Sequence, residues 1–384
     1  MHTVSRLQPF GTTIFAEMSA LAVTHDAVNL GQGFPDTDGP ASMLTAAQEA
    51  IAHGHNQYPP GLGIPELRAA VARHQQDHYG LDYDPDTEIL ITVGATEAIA
   101  GAIVGLVEPG REVIMVEPYY DSYAATVAMA GGVRRTVPLI PDDDGFRLDR
   151  TTMAAAFGPS TSVILVNTPH NPTGTVLSDD DLAEIARLCI EYDVVAVTDE
   201  VYEHLLFDGR KHRPLATYPG MRDRTLRISS AAKTFNCTGW KVGWISGPPE
   251  LVAAARAAKQ FMSYVGSGPF QPAVAHALNT EMAWVRESSA ALQAKRDLLS
   301  AALADAGFGV HRSEATYFVC ADPRPLGYDD GEKLCRMLPE RIGVAAVPVS
   351  AFVDDREPWR HMLRFAFAKR DDVIAEAAQR LRRL

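Results

Sequence analysis

Between residues 88 and 245 short apolar runs alternate with stretches of helical periodicity, and this constrains the fold more than any other feature of the chain. Glu88-Ile-Leu-Ile-Thr-Val, Glu112-Val-Ile-Met-Val, Ser162-Val-Ile-Leu-Val, Val194-Val-Ala-Val-Thr and Thr225-Leu-Arg-Ile-Ser read as strands, with Lys241-Val-Gly-Trp-Ile-Ser as a further one. The runs are continuously apolar rather than alternating, the pattern of strands buried on both faces. Helical patterns at 96–107, 123–130 and 179–192 lie between them. The expected fold class is α/β, with a mostly parallel sheet between helices. Ligands of such sheets sit at the carboxyl ends of the strands, so residues that follow strands are the candidates for chemistry.

The rest of the chain reads differently. The first thirty residues form an arm, with a short helix from Phe15 and a strand-like Ala27-Val-Asn-Leu. The Gly/Pro-rich segment Gly31–Asp36 is a loop, with Gly31 read as a turn glycine, and a helix is expected over 41–53. Beyond Pro248 the pattern turns helical. Strands then follow at Tyr317-Phe-Val-Cys-Ala, Val344-Ala-Ala-Val and Met362-Leu-Arg-Phe-Ala-Phe, before a closing amphipathic helix from Asp371 to Leu384. This gives a large domain over 46–275 and a smaller α+β domain over 276–384, with 1–45 as an arm that joins the small domain.

A net charge of −13 opposes binding to nucleic acid or to an anionic membrane surface. No apolar run reaches the length of a membrane span, and Met1 to Phe10 lacks a signal-peptide pattern. Four cysteines without paired spacing read as reduced thiols in a cytoplasmic protein. Asp142-Asp143-Asp144 reads as a solvated turn, and His170 stands alone, so no metal is expected.

Four segments carry the candidate chemistry: Val166-Asn-Thr-Pro-His-Asn-Pro-Thr-Gly, Thr198-Asp-Glu-Val-Tyr, Ser229-Ser-Ala-Ala-Lys-Thr-Phe with the following Thr238-Gly-Trp-Lys-Val-Gly-Trp, and Arg364-Phe-Ala-Phe. The set suits pyridoxal 5'-phosphate. A protonated pyridine ring needs an acidic partner at its nitrogen, which Asp199 can be. The phenolic oxygen needs donors, which Asn171 and Tyr202 supply. The aldehyde needs an amine, and Lys233 can form a Schiff base with it, then carry a proton from the substrate's Cα. The turn before the helix at 96 offers the amides of Ala95 and Thr96 to a phosphate, with Ser230 and Lys241 completing the cup. Tyr120 is the candidate to stack on the ring. Arg364 can grip a substrate α-carboxylate in bidentate fashion.

In order and spacing, Asn-Pro-Thr-Gly, Asp-Glu-Val-Tyr, Ser-x-x-Lys-Thr-Phe and Gly-Trp-Lys-Val-Gly-Trp resemble the class I/II aminotransferases of the fold-type-I pyridoxal-phosphate superfamily. The resemblance spans essentially the whole chain. It implies a seven-stranded sheet in the large domain, amino-acid and 2-oxo-acid substrates, and a homodimer with shared active sites. Asn29-Leu-Gly-Gln-Gly-Phe-Pro-Asp is similar to the kynurenine/methionine aminotransferase subgroup, in which this loop closes over the substrate. That likeness implies that the backbone at Gly33 helps bind the carboxylate, that Tyr58 reaches the cofactor phosphate of the partner subunit, and that Phe15 takes the place of an arm tryptophan beside the substrate. At the phosphate turn Ala95-Thr96 stands where that subgroup has Gly-Tyr. Val4-Ser-Arg-Leu-Gln-Pro-Phe, Phe235-Asn-Cys-Thr-Gly-Trp and Cys320-Ala-Asp-Pro-Arg-Pro-Leu-Gly resemble the actinobacterial N-succinyldiaminopimelate aminotransferases, which implies exchange between N-succinyl-LL-2,6-diaminopimelate and 2-oxoglutarate. A kynurenine, methionine or glutamine aminotransferase, or a carbon–sulfur β-lyase, is the alternative on the same scaffold. A pyridoxal-phosphate-binding regulator would need a DNA-binding domain for which the arm is too short. A nicotinamide dehydrogenase would need a G-x-G-x-x-G after the first strand, which is missing.

Overall fold

The computed structural model describes residues 3–11, 14–142 and 145–384. Met1 and His2 of the N-terminal segment, and Asp143 and Asp144 of the acidic turn, lie outside the described residues. The strands are Val28–Asn29 (β1), Ile89–Val93 (β2), Glu112–Glu117 (β3), Val133–Pro141 (β4), Phe146–Leu148 (β5), Thr161–Asn167 (β6), Val195–Asp199 (β7), Thr225–Ser230 (β8), Val242–Ser246 (β9), Gly309–Val310 (β10), Phe318–Asp322 (β11), Val344–Ala345 (β12), Val347–Pro348 (β13) and Leu363–Ala366 (β14).

The large sheet runs in the order β2-β9-β8-β7-β6-β3-β4-β5. From β8 through β4 neighbouring strands are parallel, and β9 lies antiparallel to both β2 and β8. The first seven strands of that order form the expected sheet, and the short hairpin strand β5 extends it to eight. Continuous burial of β8 and β9 agrees with the continuous apolar reading. The strand expected from Lys241 begins at Val242 instead, because Lys241 takes a left-handed turn with φ 55°. Several elements have no counterpart among the expected ones, the helices Arg150–Ala156 and Gly331–Ile342 among them. The helix Pro65–Tyr79 is polar along most of its length, and β4 carries two arginines and alternates in burial at the edge of the parallel run.

Near the C-terminus a four-stranded sheet has the order β10-β11-β14-β13. The run expected as one strand over Val344–Val347 is split: β12 pairs with β1 of the arm, and β13 with β14. The arm is thus stitched to the C-terminal part of the chain by backbone hydrogen bonds. The boundary expected at residue 45 falls inside the helix Ala41–Ala52, which packs against Phe270–Thr280. The next helix, Met282–Asp305, packs instead against the closing helix Asp371–Leu381. All four cysteines are buried and free. No helix is long and apolar enough to cross a membrane among the described residues.

Candidate active site

A cavity of about 410 Å³ opens at the carboxyl ends of the parallel strands, against β11, β14 and the arm. Its walls bring together Phe15, Gly33, Ala95, Thr96, Tyr120, Asn171, Asp199, Tyr202, Ser230, Lys233, Lys241 and Arg364. Tyr58, the remaining candidate, does not reach this cavity. It is 82% exposed and packs edge-to-face against Tyr264.

β8 ends at Ser230, whose extended backbone precedes the one-turn helix Ala231–Thr234. That turn lifts Lys233 out of the sheet. Lys233 Nζ lies 5.5 Å from the centre of the Tyr317 ring and 6.0 Å from that of Tyr202, and it makes no hydrogen bond among the described residues. It is therefore an amine open to covalent attachment.

Asp199 closes β7 and is fully buried. Tyr123 donates to its Oδ2 at 2.5 Å, and the Val201 amide donates to Oδ1 at 3.3 Å. Burial raises the carboxyl to about 6, against the pull of the Tyr123 hydroxyl and the Lys233 charge. Such a group is stabilised as an anion when a cation meets it, as a protonated ring nitrogen would. Asn167 holds the floor of this region. It donates through Nδ2 to the Asp199 carbonyl at 2.9 Å and accepts the Asn171 amide at 2.7 Å.

The helix Gly94–Leu106 points its N-terminus into the other end of the cavity. Gly94 starts it at φ 73°, and the Glu97 carboxylate accepts the Val93 amide at 2.6 Å. Gly243 of β9 passes so close that a Cβ there would lie 2.6 Å from the Gly94 carbonyl carbon and 2.9 Å from the Ala95 nitrogen. The second glycine of Gly-Trp-Lys-Val-Gly-Trp thus permits the approach of two backbones at the anion end. The Lys241 side chain runs beside Gly94, within 3.4 Å of where a Cβ would stand. Free helix amides, Ser230 and Lys241 make a donor set suited to a phosphate. A carboxyl at one end, an anion cradle at the other and an amine between them fit pyridoxal phosphate.

Arg364 is 2% exposed. It donates through Nη1 to Asn171 Oδ1 at 3.1 Å and through Nη2 to the Gly31 carbonyl at 2.8 Å, while Nε has no partner among the described residues. Its guanidinium lies 4.0 Å from the Phe318 ring centre, 4.9 Å from Phe352 and 5.3 Å from Phe15. Burial lowers its pKa to about 10, so it stays charged at neutral pH. The contact also fixes the Asn171 amide, leaving Nδ2 as the group available to a ligand. Gly31, read from sequence as a turn glycine, is an acceptor for this arginine. Gly33 tolerates no side chain, because a Cβ would meet the Phe318 ring at 2.6 Å, and its carbonyl accepts the Tyr317 hydroxyl at 2.6 Å.

Tyr123, Asn167, Tyr317, Gln32, Phe318 and Asp121 also belong to this site and were not singled out in the sequence. Asn167 had a signal, standing at a strand end inside a motif already identified. Tyr123 had a weaker one, standing three residues after Tyr120 at the start of the helix Ser122–Ala130. Tyr317 and Phe318 had none, since they read as the start of an ordinary strand.

The family described as aminotransferase class I and II matches residues 25–381. A probable N-succinyldiaminopimelate aminotransferase, DapC, of Mycobacterium tuberculosis is 59% identical, over 99% of this chain and 98% of the relative. The methionine aminotransferase of Escherichia coli is 38% identical, over 99% of this chain and 98% of its own. The solved structure of N-succinyldiaminopimelate aminotransferase from M. tuberculosis superposes with a TM-score of 0.98 at 60% identity, covering 99% of both chains.

Proposed function

The chain belongs to the class I and II aminotransferases, and from that premise we propose that it moves an amino group between N-succinyl-LL-2,6-diaminopimelate and the 2-oxoglutarate/glutamate pair, a step toward diaminopimelate and lysine. The enzyme is a pyridoxal-phosphate-dependent transaminase. The observation that carries the reaction class is the convergence of Lys233, Asp199 and Arg364 on one cavity. The substrate reading is supported by the 59% identity and the 0.98 TM-score.

Bound pyridoxal phosphate supplies an aldehyde that takes up amines and a protonated ring that accepts the electron pair left at Cα. Lys233 would hold it covalently, and the Lys233 amine is placed to carry the proton removed from Cα. Asp199 keeps the ring nitrogen protonated by presenting a buried anion, and Tyr123 and Asn167 hold that carboxyl and its strand end in place. Asn171 and Tyr202 would donate to the cofactor's phenolic oxygen, and Tyr120 would flank its ring. Ala95, Thr96, Ser230 and Lys241 would hold its phosphate, and Tyr58 of a second copy would add to them. Arg364, with the Gly33 backbone, orients the α-carboxylate so that Cα faces Lys233. Phe15 packs behind that arginine and borders the side-chain pocket.

The protein acts as a cytoplasmic homodimer. The exposed apolar residues Phe261 (90%), Met262, Tyr264 and Tyr58 support a subunit interface. We propose an arm, a large domain and a small domain, with the boundaries expected at 45 and 275 shifted to the ends of the helices that they interrupt. The change of packing partners between Phe270–Thr280 and Met282–Asp305 favours a second boundary near residue 281.

A donor screen with 2-oxoglutarate as acceptor tests the substrate. N-succinyldiaminopimelate is expected to exceed kynurenine, methionine, glutamine and acetylornithine in kcat/KM. Preference for methionine, which the 38% identical relative makes the second reading, would overturn the substrate but not the reaction class. Release of pyruvate and thiol from cystathionine would instead indicate β-lyase chemistry.

A further inference from the structure

The pleat of β8 turns Ser230 toward the cavity and Arg227 and Ser229 to the opposite face. There a second polar cluster lies against the helix Pro65–Tyr79. Glu200 accepts from Thr198 Oγ1 at 2.7 Å and Arg227 Nε at 3.0 Å, and pairs with His212 Nε2 at 2.6 Å. Glu203 accepts from Ser229 Oγ at 2.5 Å, and its second oxygen lies 3.5 Å from Arg227 Nη2. Beyond Glu203 three imidazoles face one another. His74 and His78 stand one turn apart on the helix, with ring centres 4.6 Å apart, and His204 lies 4.9 Å from the first and 5.1 Å from the second. His74 Nε2 and His204 Nε2 are 2.7 Å apart, and the donor atoms of His74, Glu203 and His204 all lie within 4.8 Å of one another.

Three features single out this cluster. The first is the donor set. Two imidazoles with facing Nε2 atoms and a carboxylate are the ligands zinc takes, and histidines four apart share one helix face. The second is charge. Glu200 and Glu203 are both buried, and the one guanidinium between them sits closer to Glu200. His212 also pairs with Glu200 rather than with Glu203, so among the described residues Glu203 is left with only the longer ion pair to Arg227. The third is Gln75, which is 1% exposed. Its Nε2 lies 3.1 Å from His74 Nδ1, while its Oε1 has no partner among the described residues. Turned by half a rotation, the same amide accepts Nδ1–H and leaves the Nε2 lone pair of His74 for a cation. A carbonyl behind a ligating histidine is the usual outer support of a metal site.

We propose that His74, Glu203 and His204 bind one divalent transition-metal ion, with zinc the best chemical match and the exposed His78 at the entrance as a fourth ligand. Zn–N bonds of about 2.0–2.1 Å in tetrahedral geometry set Nε2 atoms about 3.3 Å apart. The His74–His204 pair must therefore open by about 0.6 Å, a small rotation for His204, which is only half-buried. Glu203 and His204 directly follow Tyr202, so the ion ties the turn that carries Tyr202 to the helix Pro65–Tyr79. The site is structural and separate from the cofactor cavity. No local sequence motif announces it, because its ligands come from two segments about 130 residues apart.

The test uses cofactor-loaded enzyme, stripped with a chelator and then equilibrated with low-micromolar zinc chloride. Elemental analysis is expected to find one zinc per chain, and zinc is expected to raise Tm. His204→Ala and Glu203→Gln should abolish stoichiometric binding, and Gln75→Ala should weaken it about 10- to 100-fold. The exposed His276→Ala should leave it unchanged. Wild-type enzyme that retains no zinc overturns the proposal, as does zinc retained equally by His204→Ala and Glu203→Gln. Should those variants fail to fold, the absorption spectrum of cobalt-loaded wild type decides the matter. Strong tetrahedral d–d bands support the site, and weak octahedral bands overturn it.

Discussion

Asp199→Asn separates what the buried carboxyl does for catalysis from what it costs the fold. In the cofactor-free protein its pKa is raised from 3.8 to about 6, first by burial. A folded-state value above the unfolded one means that the folded chain binds this proton more tightly. The resulting stabilisation is complete below about pH 4 and is lost as pH rises through about 6. The difference of about 2 units corresponds to about 3 kcal/mol at about 1.4 kcal/mol per unit. Roughly half is already gone at pH 5 and nearly all at pH 7.5, so about 1.4 kcal/mol falls within that window. Asparagine keeps the shape, can still accept the Tyr123 hydroxyl, and carries no charge. The stability of cofactor-free Asp199→Asn relative to wild type is therefore expected to grow by about 1.4 kcal/mol between pH 5 and pH 7.5. Urea denaturation at fixed protein concentration measures it. With cofactor bound the order of merit reverses, because asparagine cannot hold the ring nitrogen protonated, and turnover should fall by orders of magnitude. A pH-independent stability difference, or a variant that turns over like wild type, would refute the reasoning.

Two other substitutions probe the substrate end of the cavity. Arg364→Ala removes a buried guanidinium that meets the carboxylate, and truncating such a pair costs about 2 kcal/mol or more, so KM for amino and oxo acids should rise about 30-fold or more while cofactor affinity changes little. Equal losses of both would remove the role. Gly33→Ala forces a methyl onto the Phe318 ring and should displace the loop that Tyr317 holds, lowering kcat/KM with at most about 1–3 kcal/mol lost in stability. Unchanged kinetics would mean that the loop does not set the carboxylate site.

What was legible in the sequence follows from how far apart the interacting residues are. Lys233 and Ser230 share one strand end and its turn, and Asp199 and Tyr202 share another, so local spacing carried their roles. The helix Asp179–Glu191 was equally readable, with Ser178 capping it and three aspartates in its first turn. Tyr123 meets Asp199 across 76 residues, and Tyr317 meets Gly33 across 284. Neither contact has a local pattern. The helix Pro65–Tyr79 escapes a reading by periodicity because its buried face includes Arg68, His74 and Gln75, side chains that normally face water and are covered here only by the rest of the fold. Those same residues lead to the imidazole cluster. β12 and β13 read as one strand because four small apolar residues in a row do not reveal that the chain changes sheets between them.

Lys233 is the residue on which the chemistry turns. Reduction of the purified enzyme with borohydride followed by peptide mapping tests it directly. The prediction is a single pyridoxyl phosphate adduct on the peptide that contains Lys233, absent from Lys233→Ala, which also loses transamination. An adduct on another lysine, or a Lys233→Ala variant that still attaches cofactor covalently and turns over substrate, would contradict it.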